Sequence, residues 1–229
     1  SSLFYGTIQS ALFTLLAVYS ASMNFTIFEI SFVTFLLAVS GAISQFPIGK
    51  LSDLYDRRKV IVTTTFGAAI FSICCIFSVG LMYLPEGHAT TKNWFFLFLT
   101  LFSFCSLPMF SLILAHTNDY IPKEKFVAAG AGLQFVFGLG AMSGPFLCSI
   151  FMNVVGENGF FVFLFFFHSI IGFFGIYRMK VRASVENPDS QFVAMPQTIT
   201  PAGIELNPTT EPIEEPEYSI KDKEIDKQL

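Results

Sequence analysis

Charged residues are what this 229-residue chain has least of: only 13% are Asp, Glu, Lys or Arg. About a quarter is usual for soluble domains. Six apolar blocks carry no such residue: Leu3–Ser22, Ile30–Ile48, Val60–Tyr83, Trp94–Ala115, Phe126–Val155 and Phe160–Tyr177. Core helices of a soluble protein need a polar face, so these blocks exclude a soluble globule. Cysteine is also scarce. Cys74, Cys75, Cys105 and Cys148 all fall inside the blocks, without a CxxC or a His/Cys cluster. They read as small packing residues, and neither a disulfide framework nor a metal site is expected. No phosphate-cradling G-x-x-x-x-G-K-S/T occurs, so no nucleotide or other cofactor is expected. The first apolar block is too long for a signal peptide and lacks an Ala-x-Ala-like cleavage site.

What the chain has instead is apolar bulk: 53% hydrophobic residues, 30 of them Phe, and a mean hydropathy of +0.61. A helix needs roughly 20 mostly apolar residues to cross a bilayer, and each block is near that length. The expected fold is an all-α membrane protein with six spans in residues 1–182, in contact with lipid. If odd-numbered spans run outward, one face receives Lys50, Arg57, Arg58, Lys59, Lys123, Lys125, Arg178, Lys180 and Arg182, while the other receives only Lys92. Short basic loops are retained in the cytoplasm, which places both ends of the chain there. No nucleic-acid partner is expected.

The net charge of −4 joins two unlike parts. Residues 1–182 hold ten Lys and Arg against seven Asp and Glu, whereas 183–229 hold three against ten. The second part also carries Pro188, Pro196, Pro201, Pro208, Pro212 and Pro216 and has no apolar periodicity. Such a segment buries too little surface to offset its ordering entropy. Residues 183–229 are expected to form a disordered, acidic cytoplasmic tail.

Between the second and third blocks lies GKLSDLYDRRK, Gly49 to Lys59. Asp53 and Arg57 are four apart and suited to an ion pair, and Arg58 and Lys59 add positive charge that fixes topology. This stretch resembles the cytoplasmic loop signature of the major facilitator superfamily, G-x-L-S/A-D-x-x-G-R-R/K, with Gly49, Leu51, Ser52, Asp53, Arg57 and Arg58 in register. Asp56 stands where the signature has Gly. Ala115–Pro145 and the tail segment FVAMPQTITPAGIELNP are similar to the YcaD-type bacterial branch of that superfamily. The resemblance implies a twelve-helix secondary transporter in a bacterial inner membrane, built from two six-helix halves. Six spans starting almost at residue 1, with Ser rather than Met first, are then expected to be the C-terminal half, its partner the missing N-terminal six helices.

The same resemblance implies roles. Asp53 and Arg57 would hold a cytoplasmic gate, the carboxylate facing the positive end of a helix in the other half. The first and fourth spans would line the solute cavity, which makes Gln9, Ser10, Ser103 and Ser106 candidate contacts. Gln9 and Ser10 are expected to share a face with Gly6 and Phe13. Neutral donors among many Phe suit a small, partly apolar solute; the competing reading is hydrogen bonding between helices. Gly140, Gly144 and Pro145 in the fifth span suggest close helix packing or a hinge. His168 is the one residue within the spans of a type that can titrate near neutral pH, so a proton is a candidate coupling ion; the competing reading is a neutral, hydrogen-bonded side chain. Two other classes compete with a transporter. One is a transporter-like scaffold or sensor acting through the tail. The other is a rhomboid-like intramembrane serine protease using Ser143 and His168, for which Ala141 breaks the G-x-S-G pattern. An enzyme is not expected.

Overall fold

The fold is seen in a computed structural model that describes residues 1–82, 88–181 and 192–195, including all their side chains except those of residues 82 and 88–91. Among the described residues every regular element is helical: α1 (Ser2–Ser22), α2 (Ile27–Leu54), α3 (Arg57–Met82), α4 (His88–Ser106), α5 (Met109–Asn118), α6 (Phe126–Val155) and α7 (Gly159–Val181). Helices are the form in which a spanning segment satisfies its own backbone. Six spans are long and apolar enough to cross a bilayer, with α4 and α5 together making the fourth, Lys92–Asn118.

The helices outrun the charge-free blocks. α2 starts three residues before Ile30, because Thr26 and Glu29 cap it reciprocally: the Thr26 hydroxyl accepts from the Glu29 amide, and Glu29 Oε2 accepts from the Thr26 amide at 2.8 Å. It continues six residues past Ile48, through Asp53. The expected Gly49–Lys59 loop is therefore mostly the last turns of α2 and the first of α3, with only Tyr55 and Asp56 between the two helices. Asp56 accounts for its own departure from the signature. Its carboxylate accepts from the Arg58 amide at 3.0 Å, capping the first turn of α3, and pairs with the Arg58 guanidinium at 2.9 Å.

The fourth span is broken rather than bent. Pro108 supplies no amide to the helical ladder, and the chain restarts as α5 after Leu107 and Pro108. Tyr5 of α1 donates to the carbonyls of Ser106 and Leu107, each at 3.1 Å, so groups loosened by the break find a partner on another helix.

Packing in lipid rests on close approach and shape rather than on the hydrophobic effect. α1 and α6 meet backbone to backbone. A Cβ on Gly6 would overlap the Phe137 carbonyl, one on Gly140 the Leu3 carbonyl, and one on Gly144 the Thr7 carbonyl and the Ser10 hydroxyl. At the other end Tyr19 stacks on Phe160 (5.1 Å) and meets Phe161 edge-on (5.1 Å), with Phe95 against Phe161 at 5.9 Å. Lys92 pairs with Glu29 at 2.7 Å and lies over the Phe25 ring, joining α4 to the start of α2. Burial is uneven. Only 28% of the apolar window of α2 and 22% of that of α6 is buried, against 56% for α1 and 67% for α4 with α5.

Residues 183–229 lie mostly outside the described part. The four described, Phe192–Met195, run along α2 and α5.

Candidate functional site

At the junction of α2 and α3 the chain reverses over two residues, which brings Asp53 and Arg57 together although they belong to different helices. Arg57 Nη2 donates to Asp53 Oδ1 at 2.8 Å, and Arg57 Nη1 donates to Asp119 Oδ1 at 2.6 Å. Asp119 closes the end of α5, so one guanidinium ties the ends of α2, α3 and α5. Arg57 is 4% exposed and the Asp119 side chain 6%. A buried guanidinium is tolerated only with such partners, and two carboxylates in its planar fork provide them. Asp53 is the more open of the pair, its side chain 36% exposed.

Asp119 was not singled out in the sequence. An acid in a short stretch followed by Lys123 and Lys125 was the available signal, but its partner is 62 residues away.

Ser52, Gly49 and Leu51 of the motif have separate surroundings. Ser52 is buried and donates to the Gly49 carbonyl at 2.8 Å, Leu51 is exposed, and Gly49 lies directly under the ring of Phe192. Arg58 belongs to the Asp56 cap.

The four candidate cavity residues have different partners. Ser103 meets the Ser40 hydroxyl and donates to the Thr100 carbonyl, joining α4 to α2. Ser106 shares a 2.9 Å hydrogen bond with His168 Nε2, joining α4 to α7. Both serines are fully buried, each bonded to a residue of another helix. Ser10 donates to Thr7 on its own helix at 3.3 Å and is turned, like Gly6, to α6, whereas Phe13 faces a cavity beside α2. The expected common face thus serves two neighbours. Gln9 differs from the rest: it is 2% exposed, and neither its Oε1 nor its Nε2 has a hydrogen-bond partner among the described residues.

His168 is fully buried with both ring nitrogens engaged. The Leu164 carbonyl, 2.8 Å from Nδ1, can only accept, so Nδ1 carries a proton and Nε2 is free to accept from Ser106 as a neutral imidazole. Ser143 donates to the Gly140 carbonyl at 2.8 Å. The nucleophile–base pair that a protease reading requires is therefore not formed; His168 pairs with Ser106 instead. Gly140 and Gly144 are packing positions against α1. Pro145 is accommodated within an unbroken α6. No group of three or more His, Cys, Asp or Glu among the described residues could hold a metal ion.

An apolar six-span bundle with its ionised side chains gathered at the helix ends defines an integral membrane protein. The sequence pattern of the Major Facilitator Superfamily matches residues 1–208, and the chain belongs to that superfamily of transporters. It is similar to an uncharacterized MFS-type transporter of Yersinia enterocolitica, 23% identical over 190 residues, covering 83% of this chain and 44% of that one. It is likewise similar to the uncharacterized MFS-type transporter YfkF of Bacillus subtilis, 24% identical over 160 residues, covering 70% and 38% respectively. An uncharacterized relative in Yersinia pestis is 21% identical over 190 residues. The chain thus spans less than half the length of these relatives. No solved structure gives a significant match. The relatives carry superfamily names only, which do not distinguish the narrower YcaD-type branch.

Proposed function

We propose that the chain is the C-terminal half of a secondary active transporter of a small, partly apolar solute, working by alternating access in a bacterial inner membrane. The observation that carries this reading is the Asp53–Arg57–Asp119 cluster, in which one buried arginine binds the ends of three spans at the superfamily's loop signature. Such a cluster is a switchable tie. It holds one face of the bundle while intact and releases three helix ends together when broken. The nine-to-one distribution of Lys and Arg supports assigning that face to the cytoplasm. The single Lys on the opposite side is already paired with Glu29.

The weak burial of α2 and α6 supports a partner half laid against them. Apolar faces alone would suit lipid equally well, but relatives about twice as long supply a candidate cover. The solute is expected between the halves; Gln9, buried within this half, carries an amide whose hydrogen-bonding capacity nothing described on this chain takes up. Uptake into proteoliposomes containing the complete two-half protein tests the proposal with a panel of small neutral and amphipathic solutes. Saturable uptake that responds to a proton or solute gradient is expected. Saturable uptake by residues 1–229 alone would overturn the half-site reading, and a protein inactive with every solute and gradient would overturn the transporter reading.

A further inference from the structure

The four described tail residues make contacts that an acidic, proline-rich tail would not predict. The Phe192 amide donates to Asp53 Oδ1 at 2.9 Å, the same oxygen that Arg57 holds. Three residues on, the Met195 amide donates to the Ser111 hydroxyl at 3.1 Å, and the hydroxyl lies 3.2 Å from the Met195 carbonyl. These are main-chain contacts at both ends of a four-residue segment, the pattern by which grooves hold peptides. Side chains supply the fit. The Phe192 ring lies on Gly49 so closely that a Cβ there would overlap it. Met195 is 6% exposed and enters a cavity of about 250 Å³ lined by Phe13, Gly41, Gln45 and Leu107. A second cavity of about 510 Å³, bordered by Gln45, Gly49, Asp53 and Phe192, continues along α2.

We propose that the groove between α2 and α5 is a peptide-binding site whose resident ligand is the chain's own segment Phe192–Met195, a strap that blocks the inner mouth of the solute path. The blocking role rests on the transporter reading above; the docking does not. Occupancy follows from tethering. Ten residues of sequence separate the end of α7 from Phe192, and a link of that length sets an effective concentration on the order of 1 mM. A segment that binds with a dissociation constant of only about 0.1 mM would then be docked roughly nine-tenths of the time, slowing access to the groove about tenfold. Such a weak hold can be displaced by solute, or by a partner that captures the tail.

The test uses the complete protein with its native cysteines replaced and Gln45→Cys as reporter, labelled by a maleimide in inside-out vesicles. Phe192→Asp with Met195→Asp should raise the labelling rate about tenfold, and added synthetic peptide of residues 190–197 should slow it again. Both substitutions leave the helices untouched, and the peptide arm requires a folded groove, so misfolding would not imitate the result. Equal labelling of the two proteins, or no protection by peptide, overturns the docking. Once docking is established, a several-fold higher initial uptake rate in the double-Asp variant supports the block, and an unchanged or lower rate overturns it. The labelling is independent of any solute, so it succeeds or fails separately from the transporter reading.

Discussion

Arg57 Nη1 lies 2.6 Å from Asp119 Oδ1 across 62 residues of sequence, and both side chains are almost wholly buried. Removing one partner of a buried pair leaves an uncompensated charge, at a cost of about 3–5 kcal/mol. Arg57→Ala, which removes the guanidinium that both carboxylates share, should lose stability of that order. Asp119→Asn keeps an acceptor and leaves Arg57 its bond to Asp53, so a smaller loss of about 1–3 kcal/mol is expected. Thermal unfolding in detergent measures both; an Asp119→Asn protein as stable as wild type would mean the pair is not holding α5.

The cluster also shows what a sequence can and cannot reveal. Asp53 and Arg57 are four apart, so their pairing was legible, although it forms across a break between helices and not within one. The span count was legible because bilayer thickness sets block length. The ends were not, because backbone hydrogen bonding continues through Lys50 and Asp53 while a charge-free block stops short of them. Pro108 interrupts the fourth span because it brings no amide to the helical ladder. Nothing in composition could pair Arg57 with Asp119 or Ser106 with His168, since such pairs depend on how the spans are arranged. The contacts of Phe192 and Met195 escaped for another reason: they are made largely by the main chain, which carries no sequence signal.

The glycines of α6 divide by what stands over them. Gly140 and Gly144 face carbonyls of α1, whereas no described neighbour lies within 4 Å of a Cβ on Gly132 or Gly138. Gly144→Ala should force α1 and α6 apart and cost about 1–3 kcal/mol, as overpacking does. Gly138→Ala should be neutral or stabilising by up to about 1 kcal/mol. Melting temperatures of the two variants, compared side by side, check the expectation. A destabilising Gly138→Ala would place an unseen neighbour there.

Gln9 is buried with an amide that no described residue satisfies. Leaving such a group unpaired costs about 1–3 kcal/mol, so Gln9→Leu should raise the melting temperature of the solute-free protein. If the amide serves the solute, the same change should weaken binding at least tenfold. The two effects have opposite signs. Unaltered uptake together with higher stability would reduce Gln9 to an unused polar residue.

Topology can be checked at two exposed connections. Glu157, between α6 and α7, and Lys123, between α5 and α6, lie at opposite ends of a span. The distribution of basic residues predicts that cysteine at position 157 is labelled by an impermeant reagent in intact cells, and cysteine at position 123 only after disruption. The reverse pattern would invert the bundle and move the Asp53 end outside.

Asp53 separates three roles that meet on one carboxylate. If it serves topology alone, Asp53→Asn should be harmless, because every positive charge on that face remains. If it holds the gate with Arg57, the neutral amide weakens a charge-assisted bond while keeping an acceptor, so insertion stays normal while transport falls by about tenfold or more. If its main task is to seat Phe192, the variant should instead transport faster, since the strap loses an anchor. Repeating Asp53→Asn with Phe192→Asp and Met195→Asp removes the strap from the comparison. A gate defect persists in that background, whereas a strap effect disappears. Initial uptake rates normalised to expression decide among the three, and Asp53→Asn rates equal to those of the matching Asp53 protein in both backgrounds would leave the carboxylate with no part in cycling.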